Sequence, residues 1–156
     1  MKHTIAIDVG VNGALAVMKG DELVDLTDLP VVDGIISGPT LASIFADWSR
    51  CAVVVEKVHA QPHGSVANFS LGRNLGVILG VSGAMATPVV LIAPSHWKKT
   101  IRFTSKGKDQ KNEAREIATR LYPDFADRFT RVHDHDRADS VLIGRAYSML
   151  KTRGEL

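Results

Sequence analysis

Ile5-Ala6-Ile7-Asp8 opens this chain, and Ala52-Val53-Val54-Val55-Glu56 answers it. Each is a short apolar run that closes on a carboxylate. A run that is apolar on both faces belongs to a strand inside a covered sheet. A charge at its end is costly unless it is paired or bound to a cation. A third acidic station comes late, where Asp136 and Asp139 open a helix at spacing i, i+3 and project from one face of it. Hard oxygen ligands of this kind suit Mg²⁺ or Mn²⁺.

Working outward, residues 4–8, 13–19 and 22–28 read as three strands joined by hairpins, with Val11-Asn12-Gly13 and Lys19-Gly20-Asp21 as the turns. Pro39-Thr40 starts a helix that runs to about residue 47, and residues 51–56 form a central fourth strand. Residues 57–65, with their polar, His and Gly content, read as a loop. A long helix over 66–85 follows, then a fifth strand over 89–93 that ends at Pro94, and helices over 109–121 and 135–151. The order implies an α/β fold: a five-stranded mixed sheet, three antiparallel strands then two parallel, with helices on both faces. Repeats and long linkers are absent, so residues 1–156 read as a single domain.

The long helix carries Gly72, Gly76, Gly80 and Gly83. Each costs up to roughly 1 kcal/mol relative to Ala, so close packing should offset it. Either a second copy of the helix or the protein's own sheet is the expected neighbour.

Charge is unevenly spread. Residues 1–60 hold 8 acidic and 4 basic side chains, while 61–156 hold 15 basic and 9 acidic. That polarity suggests a phosphate-rich partner in the second half. Cys51 is the sole cysteine and sits in an apolar run, which excludes an intrachain disulfide and reads as a buried thiol. No stretch reaches the roughly 18 apolar residues of a membrane span and no signal-peptide pattern opens the chain, so a cytoplasmic protein is expected.

The three acidic stations converge only if the first and fourth strands are neighbours and the last helix crosses them. Such a nest can hold two cations about 4 Å apart, one acidifying a water that attacks phosphorus, the other stabilising the departing 3′ oxygen. Each residue alone reads equally as a turn or cap Asp, and Asp136 with Asp139 as a pair facing the helix dipole. The combination carries the signal.

Between the stations lies a basic segment with Lys98, Lys99, Arg102, Lys106, Lys108 and Lys111 against Asp109, interleaved with Trp97 and Phe103. Ser105-Lys106-Gly107-Lys108 reads as a mobile loop suited to a phosphate backbone; a solvated lysine-rich face is the plainer alternative. His133 and His135 beside Asp134 and Asp136, or His59 with His63, invite a zinc reading. Structural zinc sites use closed sets with Cys, which one buried cysteine does not complete. His135 is placed to tune the acidic cluster as an outer partner or to sit plainly at the surface.

Ile5-Ala6-Ile7-Asp8-Val9-Gly10, Val54-Val55-Glu56-Lys57-Val58, Asn68-Phe69-Ser70-Leu71-Gly72-Arg73-Asn74-Leu75-Gly76 and His135-Asp136-Arg137-Ala138-Asp139-Ser140 together resemble the RuvC family of Holliday junction resolvases, of the RNase H-like (retroviral integrase) fold. The resemblance runs over nearly the whole chain, and the short length with Trp97-Lys98-Lys99 is closer to phage or prophage versions. It implies a homodimer that binds four-way DNA junctions and makes paired, symmetric nicks with Mg²⁺ or Mn²⁺. Asp8, Glu56, Asp136 and Asp139 match the catalytic metal ligands. Lys98 matches a basic residue after the fifth strand, and Lys111 a lysine near the scissile phosphate, with Lys108 close enough in register to compete. His59 stands where some relatives carry an aromatic that reaches the junction's bases.

Rival readings stay open. Asp-x-Gly with a hairpin also begins the phosphate loop of actin-like and Hsp70-like kinases and ATPases, but 156 residues cannot hold their two domains and no second such loop follows. A relative with broader branched-DNA specificity (Y-forms and forks), one acting on RNA ends, and a non-catalytic junction binder are the others. Sequence preference and any branch-migration partner are not written in these residues.

Overall fold

The computed structural model describes residues 3–10, 12–48, 50–60, 62 and 64–156. Val11, in the first expected turn, and His63, half of the 59/63 histidine pair, lie outside the described residues.

The chain begins with β1 (His3–Asp8), β2 (Ala14–Lys19) and β3 (Glu22–Asp28), a meander of antiparallel neighbours. A small hairpin of β4 (Val31–Val32) and β5 (Ile35–Ile36) leads into α1 (Gly38–Asp47), whose first turn is capped by Ser37 accepting from the Thr40 N–H. Then come β6 (Cys51–Glu56), α2 (Ser65–Ala84), β7 (Val89–Ile92), α3 (Pro94–Ile101), α4 (Asp109–Leu121) and α5 (His135–Thr152). Two short 3₁₀ segments, Pro123–Phe129 and Val132–Asp134, join the last two helices.

The sheet order is β3-β2-β1-β6-β7, with β1–β6 and β6–β7 parallel. This is the expected five-stranded mixed sheet. The β4–β5 hairpin, α3 and the 3₁₀ segments are additions to the sequence reading. α3 escaped because Pro94 reads as a strand end, although Pro is equally suited to the first turn of a helix.

Alternation along the strands sorts the side chains into two layers. Ile5, Ile7, Leu15, Val17, Val53 and Val55 face α1 and α2, where Leu41, Phe45 and Ile78 cover them. Ala6, Ala16, Met18 and Val54 face α5, against Ala138, Val141, Leu142 and Ala146. The second layer is thin because its strand residues are small. Gly144 lets α5 come closer still: a Cβ there would stand 2.7 Å from Met18 Cγ and 3.1 Å from Ala6 Cβ. α5 therefore lies directly on the first two strands, and its N-terminus reaches the carboxyl end of β1.

α2 packs only one face. Its buried Asn74 accepts from the Ile36 N–H at 3.0 Å and donates to the Gly34 carbonyl at 3.3 Å, tying the helix to the β4–β5 hairpin. The glycine stripe points elsewhere. A Cβ at Gly72, Gly76, Gly80 or Gly83 would meet nothing within 4 Å, which rules out packing of the stripe on the protein's own sheet. Val66 and Phe69 beside it are 82% and 70% exposed. Cys51 is buried, and burial pushes its thiol up. Among the described residues, no helix is long and apolar enough to cross a membrane.

Candidate active site

Parallel pairing of β1 with β6 matches Ile7 to Val55. One residue further along each strand, Asp8 and Glu56 leave the sheet at the same edge. Both share parity with Ala6 and Val54, so both face α5. The turn that follows β1 folds back tightly: Gly13 N–H donates to the Gly10 carbonyl at 3.2 Å, and a Cβ on Gly13 would overlap the Asp8 carbonyl oxygen. Only glycine fits there. Asp136 and Asp139 come down from the first turns of α5, whose apolar Ala138 and Val141 anchor the helix in the core beside them.

The four carboxylates lie within each other's fields. Burial, then the charges of Asp139, Asp136 and Glu56, push Asp8 well above the usual carboxylate range. A hydrogen bond between Asp8 and Asp136 raises Asp8 further and lowers Asp136. Burial also raises Asp136, offset in turn by His135, Lys111 and that hydrogen bond. Asp139 is pushed up to about 7 by burial and by Glu56 and Asp136, against the pull of Lys98 and Lys111. Burial raises Glu56, while a hydrogen bond from Trp97 and the charge of Lys98 pull it down.

An all-oxygen donor set whose members are raised by burial and by one another's charge is one a divalent cation fits, since the cation supplies the missing positive charge. Among the described residues, no three His, Cys, Asp or Glu side chains are already arranged to hold an ion. The nest fits by donor type and charge rather than as a closed cage.

Its wall is basic. Lys98 Nζ donates to Gln110 Oε1 at 3.1 Å and lies 5.4 Å over the Trp97 ring. Lys111 acts on Asp136 and Asp139 and lines an open cleft of about 680 Å³ with Arg131, His133 and Arg137. His135 stands between acceptors, Nε2 at 3.0 Å from Asp136 Oδ1 and Nδ1 at 2.9 Å from the Val132 carbonyl. It therefore contacts the cluster directly. Arg137, between the two α5 carboxylates, holds Asp28 with Nε and a terminal nitrogen at 2.7 and 2.8 Å and the buried Asp134 at 3.2 Å. Burial alone would raise Asp134, but Arg131 and Arg137 hold it below its ordinary range. This ion network pins the start of α5 to the end of β3.

The other expected contacts are spread more widely. Lys99, Lys106 and Lys108 are exposed, and so is His59 in the stretch after β6. Arg102 ends α3 in the left-handed conformation, beside Arg145 and Met149 further along α5, and is not brought to the nest. The segment read as a mobile loop is tethered: Glu113 accepts from the backbone N–H groups of Thr104 and Ser105 at 2.7 and 2.8 Å. Trp97, read as interleaved with the surface lysines, is fully buried and bonded to Glu56. A tryptophan next to two lysines fits either place, so only the fold could assign it. Gln110 and Arg137 likewise carried no signal in the sequence.

Two solved structures share this fold over nearly the whole chain. T. thermophilus RuvC in complex with Holliday junction substrate matches at a TM-score of 0.71 and 15% identity, over 98% of this chain and 97% of that one. The Thermus thermophilus RuvC structure matches at 0.69 and 16%, over 98% and 97%. No protein-family model matches the chain, and no curated protein matches it in sequence. The likeness is therefore one of fold: the chain has the RNase H-like α/β architecture of RuvC.

Proposed function

We propose that this protein is a divalent-metal-dependent endonuclease that cuts four-way DNA junctions by paired, symmetric nicks, acting as a homodimer. The observation that carries this reading is the convergence of Asp8, Glu56, Asp136 and Asp139 on one sheet edge, next to an open cleft walled by lysine, arginine and histidine. The fold likeness to a RuvC that binds a Holliday junction substrate supports DNA as the polymer.

Asp8, Glu56, Asp136 and Asp139 would hold two Mg²⁺ or Mn²⁺ ions. When bound, such ions supply an acidified water and neutralise charge developing on the phosphate. The chain's own groups do the rest. Lys98, at the end of α3, and Lys111, at the start of α4, both act on Asp139 and would draw a phosphate to the nest as point charges. Lys108, with Lys99, Lys106, Arg102 and His59 further out, extends the positive surface along which a DNA strand runs. His135 fixes Asp136 and would offer a site for proton exchange beside the carboxylates.

Paired nicks need two such sites, and α2 supplies the surface for a second copy. Its glycine stripe is open to solvent and flanked by exposed Val66, Phe69 and Leu79. Small residues let two helices approach closely, which compensates for their poor helix propensity.

The test is cleavage of labelled four-way junction, linear duplex and Y-shaped DNA with Mg²⁺, Mn²⁺ or EDTA, beside Asp8→Asn. Metal-dependent paired nicks in the junction alone, lost in the variant, are expected. Equal cutting of Y-forms would replace the reading with a general branch nuclease, and binding without cutting would make it a junction-binding protein.

A further inference from the structure

Glu56 differs from the other three carboxylates in what holds it. Its Oε2 accepts a hydrogen bond from the Trp97 indole Nε1 at 2.5 Å, the one hydrogen bond its side chain makes among the described residues. Trp97 is 0% exposed and packs edge-on to Phe103, with ring centroids 5.4 Å apart at 87°. It lies in the core layer that also contains Ile92, Ala114 and Ile117. The indole therefore has one orientation, set by the core, and its only polar atom is aimed at Glu56. A glutamate has three side-chain torsions, and at a half-buried strand end it would otherwise sample several.

The Lys98 ammonium lies over the same ring, 5.4 Å from its centroid, and is itself held by Gln110. A cation over the ring draws electron density from it and makes the indole N–H a better donor. One buried ring thus joins the carboxylate to the basic segment.

Resting on the proposed nest, we infer that Trp97 is the positioning residue for Glu56: its buried indole N–H locks one carboxylate oxygen and presents the other to a cation. The plain alternative is that Glu56 merely satisfies a buried indole, which needs an acceptor. The two differ in what happens to the cation when the N–H is removed.

Trp48 and Trp97 are the only tryptophans, and Trp48 lies away from the nest, edge-on to His3. In a Trp48→Phe protein, Mg²⁺ should give a saturable change in Trp97 emission that Glu56→Gln abolishes. By isothermal titration calorimetry, Trp97→Phe should bind Mg²⁺ about tenfold more weakly, the loss typical of removing a partner that orients a metal ligand. Its kcat should fall while KM for the junction stays put. Phenylalanine is smaller than tryptophan, so a second replacement keeps the volume: β-(3-benzothienyl)alanine at position 97, in which sulfur takes the place of the N–H, incorporated in the Trp48→Phe protein. It should show the same loss of Mg²⁺ affinity with an unchanged melting temperature. Unaltered Mg²⁺ affinity in that protein would overturn the inference while leaving the nest intact. Absence of Mg²⁺ binding by the unmodified chain would instead overturn the nest, and the role of Trp97 with it.

Discussion

Replacing Asp139 by asparagine should stabilise the protein when no metal is present and remove its response to metal. Asp139 is held at about 7 in the folded chain against an ordinary 3.8, through burial and the neighbouring Glu56 and Asp136. Each unit corresponds to about 1.4 kcal/mol of difference between the protonation states. The folded state binds the proton more tightly than the unfolded one, so stability falls as pH rises from about 4 to about 7 and stays low above that. The full shift corresponds to about 4 kcal/mol at pH 8 by this linkage, an upper bound, since Asp139 keeps some surface in water. Asparagine carries no charge to bury, and at pH 8 should recover about 2–4 kcal/mol, or roughly 5–15 °C in melting temperature for a chain of this length. At pH 4 the two proteins should melt within a few degrees of each other. Mg²⁺ at pH 8 should raise the melting temperature of the parent and leave Asp139→Asn almost unmoved. The assay is thermal unfolding by circular dichroism at pH 4 and 8, with Mg²⁺ or EDTA. A variant that melts below the parent at pH 8 in EDTA would refute the argument, because Asp139 would then be contributing to the fold rather than straining it.

Three further outcomes follow from the geometry. Arg137→Ala removes an exposed pair with Asp28 and a contact to buried Asp134, and should cost about 2 kcal/mol in chemical denaturation; Mg²⁺ affinity should weaken with it, since Asp136 and Asp139 flank the lost anchor. Gly144→Ala should destabilise by about 1–3 kcal/mol by forcing α5 off Met18 and Ala6, and combined with Met18→Ala it should cost less than the two single changes summed. Gly76→Leu meets open space within the chain, so the monomer fold should persist while sedimentation equilibrium shows loss of the dimer; a dimer of unchanged affinity would remove α2 from the interface.

The elements that the sequence determined are those with a strong local signal. Apolar runs placed β1, β2 and β6 within a residue of where they lie, because a strand buried on both faces tolerates little else; the turn at Gly20 placed the half-exposed β3. The acidic stations were legible for the same reason: Asp8 and Glu56 are conspicuous as charges closing such runs, and the i, i+3 spacing of Asp136 and Asp139 needs only a helix. Local signals say nothing of what lies across a gap, however. That Asp8 and Glu56 share a face depends on the parallel register of β1 with β6, and that α5 reaches them depends on Gly144 and the small residues beneath it. Trp97 belongs to the core and not to the basic surface because α3 turns it inward, against the polarity of its lysine neighbours. The direction of the glycine stripe on α2 was likewise undecidable from spacing, since four glycines in a row along a helix suit a sheet or a second helix equally. Which side chains are present, and which are strained by being there, can be read from one dimension; which of them meet is settled by packing, where burial and close approach outweigh local preference.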